Sequence, residues 1–523
     1  MKSNFRQILH KSDFLIFVGI VLIIAVAGAL LVKINTPLGL GMDPDSGLYI
    51  MGARNLLAGN GYSKFSGTDA FRLITIEPPL YSCVLAFIGL AGIDAIRAAR
   101  LLNILLIGLD LVLFAGLIYY ETRNKLLTIL AELLFLFSTS MFIRYTWALT
   151  EPLFMTFLLG CFILYYRFLR TQSAIWVVAL GFGTSILYLT RYAGIYLAAV
   201  WLPAILVISI PKSRLKHTLF YLAGLLPLMV FHSAWNYLST GTFNNREIYL
   251  PGMDNAFGKL LPAMSVLEGW FTTTGEGLSS HSISLIVFCL LVCILLAGSV
   301  YGGLRLYKRA GTLNEGSSRQ AILFPLSLAI PLYIALVLII AFFYDSKLTL
   351  NDRVLSLMWF FGLYLVILIA DLVVQRGRSY RIAVYACLVA FLVFSLVKFE
   401  KTSAVLRSDG QFYSSIKWRS LPSIEYVKQT NKNLIYSDRP FAIYLLTGKV
   451  VYQVPFTVID ESKSYRENYQ YYDFMRDRLI ESNGILVLYN PGCHDQSDMY
   501  IQTLIRGLHM IEESSDACVF GPD

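Results

Sequence analysis

The run FLIFVGIVLIIAVAGALLV, residues 14–32, holds no charged residue and follows the basic residues Lys2, Arg6 and Lys11. A bilayer core takes about 20 mostly apolar residues per helix, so this run is long enough to cross. A cleaved signal peptide is the competing reading, because Ala27-Gly28-Ala29 could mimic a cleavage site. Its apolar stretch would span only roughly 7–15 residues, and here the run continues past those alanines. An uncleaved first span is therefore expected. Outward from it, further apolar runs fall at 95–119, 126–143, 152–170, 174–190, 193–210, 217–236, 282–301, 321–343, 354–374 and 380–398, eleven spans in all. Composition agrees: 56% of residues are hydrophobic, 15% are charged, and the mean hydropathy is +0.61. Soluble domains carry about 25% charged residues, so an ordinary soluble enzyme, a disordered chain and a fibrous protein are excluded.

Charge gives the sidedness. Arg123/Lys125, Arg167/Arg170, Lys212/Arg214/Lys216, Arg305/Lys308/Arg309 and Arg376/Arg378/Arg381 fall in every second connection. Short basic loops stay cytoplasmic, which places the N-terminus inside and the long loops 34–94 and 237–281 outside. The 14-residue apolar stretch PLYSCVLAFIGLAG, 79–92, is too short to span and reads as an interfacial helix. Counting it as a span would invert every later loop.

Residues 1–399 carry 30 Lys/Arg against 18 Asp/Glu, whereas residues 400–523 carry 13 against 16. The basic balance thus belongs to the membrane part, and the chain divides into a transmembrane domain, 1–399, and an extracytoplasmic domain, 400–523. In the latter, strand-like runs near Asn433–Ser437, Val450–Val454 and Ile485–Tyr489 alternate with helix-like runs near Pro440–Thr447, Glu467–Glu481 and Gln496–Gly507. That alternation predicts a small α/β domain. Cys493 and Cys518 are its only cysteines. Outside the cytoplasm a bridge between them would persist.

Three acids fall in outer connections. Asp45 in Asp43-Pro44-Asp45-Ser46 shares a helical face with Tyr49 and Ala53, on a helix ending near Gly59/Gly61. Asp43 or Asp45 could equally be a capping residue. Glu77 precedes Pro78-Pro79, and Glu151 stands in LTEPLF, 149–154. Each alone could be a solvated loop charge or a helix-start acid. Gathered on one face, they suit general base catalysis or a divalent metal. Arg191, Arg246 and Arg353 map to the same face and could meet a phosphate, or could only snorkel to headgroups. Arg54 and Arg72 lie nearer the acid loop. His232 and His281 are more distant candidates, and Asp110 and Glu132 lie within spans, where structural pairing is expected.

These segments resemble the GT-C polytopic glycosyltransferases. The resemblance rests on Asp45…Tyr49…Ala53, EPPLY (77–81), LTEPLF (149–154), LTRYAGI (189–195), WNYLSTGTFNNR (235–246), NDRVLSLMWFFGLYLVILI (351–369) and IYSDRPFAIYLLTG (435–448). It covers nearly the whole chain and is nearest the bacterial branch similar to protein mannosyltransferases and lipid A aminoarabinose transferases. It implies transfer of a hexosyl or pentosyl group from a polyprenyl-phosphate donor to an extracytoplasmic lipid, glycan or protein, with inversion in a single displacement. Asp45 would be the catalytic Asp, acting as base, with Glu77 and Glu151 as the further carboxylates. Arg353, Arg191 and Arg246 would hold the donor phosphate, with Tyr49, Asp43 and Asn236 in support. Two departures matter: Ser46 stands where many relatives have Glu, and Pro78 where some have a Lys, so no phosphate contact can be assigned there. A flippase for a lipid-linked saccharide would call for a polar path through the spans and internal repeats, and neither is found. An oligosaccharide ligase or polymerase is the nearest alternative within the enzyme class.

Overall fold

A computed structural model describes residues 2–65, 71–243, 262–272, 281–309, 315–344, 349–455, 469–494 and 499–522. The contacts divide the chain into two compact units. One contains residues 1–35, 101–146 and 150–404; the other contains 36–100, 147–149 and 405–523.

The first unit is helical. Among the described residues, eight helices are long and apolar enough to cross a membrane: Ser12–Ile34, Ala95–Thr122, Glu151–Thr171, Pro211–Thr240, Phe288–Lys308, Ala321–Phe342, Asp352–Val374 and Arg378–Asp409. The expected span at 126–143 is broken into Lys125–Phe137 and Thr139–Tyr145, bent by 63°. The break falls at Ser138, which is extended and caps the second piece through Met141 N–H. Counting the bent pair gives nine. The expected spans at 174–190 and 193–210 are the helical segments Ala174–Thr190 and Tyr192–Ile208. At 1.5 Å per residue, 17 residues rise about 25 Å, short of a bilayer core of about 30 Å. Length alone therefore does not deliver eleven spans.

Packing in this unit uses both large and small residues. Phe114, Phe135, Phe360 and Tyr364 are buried against one another with ring centroids 5.2–6.3 Å apart. Gly181 and Gly224 let helices Ala174–Thr190 and Arg214–Thr240 meet backbone to backbone. A Cβ on Gly181 would lie 2.1 Å from Tyr221 O, and one on Gly224 would lie 2.1 Å from Val178 O. Small residues at such crossings are how helices gain close contact in lipid.

In the second unit, helix Pro44–Leu57 leads to an antiparallel hairpin, β1 (Ser63–Phe65) with β2 (Phe71–Leu73), and then to helix Leu80–Gly89. The last has ten residues, too short to span, as the sequence predicts. The α/β domain is a five-stranded sheet built from β3 (Ile435–Ser437), β4 (Tyr452–Gln453), β5 (Ile485–Leu488), β6 (His509–Glu513) and β7 (Cys518–Gly521), in order β4-β3-β5-β7-β6. The first three strands pair in parallel and match the sequence expectation; β6 and β7 add an antiparallel edge that was not foreseen. Cys493 and Cys518 are disulfide-bonded, Cα–Cα 6.1 Å. The loop and the sheet domain pack together: the Phe441 ring lies over Gly47, Arg54 stacks on Tyr444 at 5.2 Å, and Tyr413 N–H donates to Met42 O at 3.1 Å.

Candidate active site

In the second unit, Asp43 is the N-cap of helix Pro44–Leu57, accepting from Ser46 N–H at 2.8 Å and from its hydroxyl at 3.0 Å. Pro44 fills the first helical position, where a missing N–H costs nothing. Asp45 is therefore not the cap. It stands half-buried in the first turn, where the helix dipole favours an anion. One turn on, the buried Tyr49 donates to Glu77 Oε2 at 2.5 Å. Tyr81 packs edge-on against Tyr49 at 5.3 Å, and the Ser82 hydroxyl donates to Tyr49 O at 2.9 Å. Tyr62 donates to the carbonyls of Glu77 and Pro78 at 3.2 and 3.3 Å. Two tyrosines thus fix the Glu77 turn against the helix that carries Asp45.

Of the cations nearby, Arg54 is paired with Asp94 at 2.8 Å. Arg72 faces Lys64 across the hairpin, and burial together with Arg72 pushes the Lys64 ammonium below its ordinary value. Behind the loop, burial pushes Tyr413 up to about 12, with Asp43 and Asp438 adding to the effect. Asp438 is also raised by burial, while a 3.0 Å bond from Tyr489 N–H, Arg439 and the Ser437 hydroxyl pull it back.

In the first unit, three helix ends converge on Glu151. Thr150 stands at the N-cap position of helix Glu151–Thr171, with Glu151 and Pro152 opening it. Arg191 ends helix Ala174–Thr190 in extended backbone, and Arg353 lies in the first turn of helix Asp352–Val374, capped by Asn351. Both guanidiniums meet Glu151 Oε1, Arg353 at 2.6 Å through Nε. Asp352 pairs with Arg144 at 3.1 Å and accepts from Ser140 Oγ at 2.7 Å and Trp270 Nε1 at 2.8 Å. Glu151 and the three arginines line a cleft whose other walls include Met141, Phe154, Met155 and Leu357. Three cations in an apolar cleft suit an anion carried on an apolar body.

The sequence singled out Glu151, Arg191 and Arg353, and the structure brings them together. Arg144 and Asp352 were missed. Arg144 follows the break at Ser138, which was the signal that could have found it. Asn236 is buried elsewhere in this unit, its amide 2.9 Å from Phe243 O and 3.3 Å from His232 Nε2. Arg246 lies outside the described residues, and so does the side chain of His281. Asp110, for which structural pairing was expected, accepts from Thr156 and from Tyr145, a cleft residue, both at 2.6 Å. Glu132 is fully buried, and neither of its carboxylate oxygens is hydrogen-bonded.

The acids considered for a divalent metal fall in different units, Asp45 and Glu77 in one and Glu151 in the other. One oxygen of Glu151 is occupied by two guanidiniums. Among the described residues, Cys493, His494 and Cys518 have ligand atoms grouped within 4.8 Å, and the two thiols are joined as the disulfide.

No protein-family model and no curated protein sequence matches the chain. Solved structures do. The Archaeoglobus fulgidus oligosaccharyltransferase, solved with Zn and sulfate, aligns over 89% of this chain and 67% of its own at TM-score 0.50 and 13% identity. ArnT from Cupriavidus metallidurans aligns over 98% of both chains at TM-score 0.48 and 13% identity. The same protein bound to undecaprenyl phosphate aligns over 97% of this chain and 98% of its own at TM-score 0.45 and 13% identity. The fold is the GT-C fold of a multi-pass membrane protein.

Proposed function

We propose that the protein is a multi-pass membrane glycosyltransferase that takes a hexosyl or pentosyl group from a polyprenyl-phosphate donor and passes it to an extracytoplasmic acceptor. The observation that carries this reading is the cleft where Arg144, Arg191 and Arg353 gather around Glu151 among apolar side chains. A lipid phosphate has that combination of charge and apolar body. The fold shared with an oligosaccharyltransferase supports the transferase class.

The reaction is one displacement at the anomeric carbon. The acceptor oxygen attacks as the bond to the phosphate oxygen breaks, and the sugar inverts. Asp45 takes the proton from the acceptor hydroxyl; Tyr49 and Glu77 hold its helix and turn in place. Arg353 and Arg191 meet the charge that grows on the departing phosphate, and Glu151 fixes their guanidiniums. Asp45 and Glu77 are the carboxylates that would hold a divalent cation, which would supply Lewis-acid stabilisation of charge there.

The N-terminus lies in the cytoplasm and the sheet domain outside. The basic loops support this, and so does the Cys493–Cys518 bridge, since disulfides persist in oxidising compartments.

The test is mass spectrometry of envelope lipids and glycans from a strain lacking the protein. A sugar substituent should disappear and return with the wild-type chain. Asp45→Asn, present in the membrane at normal level, should fail to restore it, because the amide keeps the shape and loses the base. Full restoration by Asp45→Asn, or an unchanged profile in the deletion strain, would sink the assignment.

A further inference from the structure

Helix Glu151–Thr171 carries charge at both ends. Glu151 and its arginines stand at the start; Arg167 and Arg170 stand in the last turns, about 24 Å further along the axis. At that far end a groove of about 340 Å³ opens between this helix and Ala95–Thr122. Its floor is apolar, made by Val112, Leu113, Leu117 and Ile163, and its rim holds Tyr120, Arg167 and Arg170. The space beside Gly116 is open, since a Cβ there would meet no atom within 4 Å.

The mouth is cationic. The Arg170 guanidinium lies 4.5 Å from the Tyr120 ring centre and that of Arg123 lies 5.5 Å from it. Arg167 acts on the same tyrosine and stacks toward Trp176 at 5.9 Å. Against these three stands Glu121, which is engaged with Tyr166. Among the described residues, none of the three arginines is ion-paired with a carboxylate.

We propose that this groove is a binding site for an anionic phospholipid, with an acyl chain on the apolar floor and the phosphate at Arg167 and Arg170. Charge complementarity selects the occupant. A soluble anion would leave the floor empty, and a zwitterionic lipid would bring its own cation to an arginine cluster. Basic pockets between membrane helices bind anionic headgroups for these reasons. The site is separate from the Glu151 cleft and does not rest on the proposed reaction.

Native mass spectrometry of the full chain, released from nanodiscs of mixed phosphatidylglycerol and phosphatidylcholine, tests it. The wild-type chain should retain phosphatidylglycerol. Arg167→Gln with Arg170→Gln, both at exposed positions, should lower retention by about fivefold for each arginine removed. Gly116→Phe, which fills the groove and leaves every charge, should lower it more than tenfold. Equal retention of phosphatidylcholine would overturn the proposal, and so would undiminished phosphatidylglycerol on Gly116→Phe or recovery of a polyprenyl phosphate in its place. Should Gly116→Phe fail to melt cooperatively, the double arginine variant decides alone.

Discussion

Glu151 holds two guanidiniums on one oxygen, and this fixes what its loss would do. Glu151→Gln removes the charge that both Arg191 and Arg353 meet. Breaking a buried pair costs on the order of 3 kcal/mol, and less here because both arginines are about a quarter exposed. The variant should melt earlier and bind donor more weakly, so KM rises more than kcat falls. A variant as stable as the wild type that loses only kcat would give Glu151 a proton-transfer role instead. Asp438 offers a pH test. Burial raises its carboxyl, so the fold favours the neutral form. Its contribution to stability is present below about pH 4, the ordinary aspartate value, and is lost as pH rises through the raised one. Asp438→Asn should therefore raise the melting temperature more at pH 7 than at pH 4; equal shifts at the two pH values would refute this. Charged residues beside prolines and helix ends were legible in the sequence. Arg144 and Asp352 were not, because they are 208 residues apart and Arg144 sits inside an apolar run.

Among the elements, the parallel strands of the sheet domain were legible as short apolar runs between helices. The β6–β7 edge was not. β6, HMIEE, is largely exposed and has a bulge between Met510 and Glu512; β7 has only four residues. Such segments lack the alternation that marks a strand. The bridge gives this edge a measurable role. It ties Cys518, the first residue of β7, to Cys493 after β5 across a sequence separation of 25. Closing such a loop in the unfolded chain is worth about 3 kcal/mol in the entropy model. Cys518→Ser should lower the melting temperature of the sheet domain, and reductant should do the same to the wild type. Peptide mapping without reductant should recover the two cysteines as one linked pair; free, alkylatable thiols at both positions would exclude the bridge.

For the whole molecule, eleven apolar runs were legible from composition, yet among the described residues helix length supports only eight spans, or nine with the bent pair. The ion pairs bear on the two in question. Helix Glu151–Thr171 starts at Glu151 and runs to a turn at Gln172–Ser173, and Ala174–Thr190 brings the chain back until Arg191 touches Glu151 again. If the first of these helices crosses, so does the second, despite its 17 residues. Arg353 also meets Glu151, so an even number of crossings separates Arg191 from Arg353. Three long helices lie between them among the described residues: Pro211–Thr240, Phe288–Lys308 and Ala321–Phe342. Tyr192–Ile208 is the candidate for a fourth. The packing of residues 36–100 with the sheet domain requires an even count from Leu101 to Ala404 as well, and ten helices satisfy it. With the first helix, eleven spans are the expected outcome of a topology measurement. Reporter fusions check this directly. Insertion at Asn60 and fusion after Lys401 should report outside the cytoplasm, and fusion after Gly377 should report inside. Fusions after Ser173 and after Gly194 should report opposite sides. If those two agree, Ala174–Thr190 does not cross, and the meeting of Arg191 with Glu151 would need a chain path other than the one described.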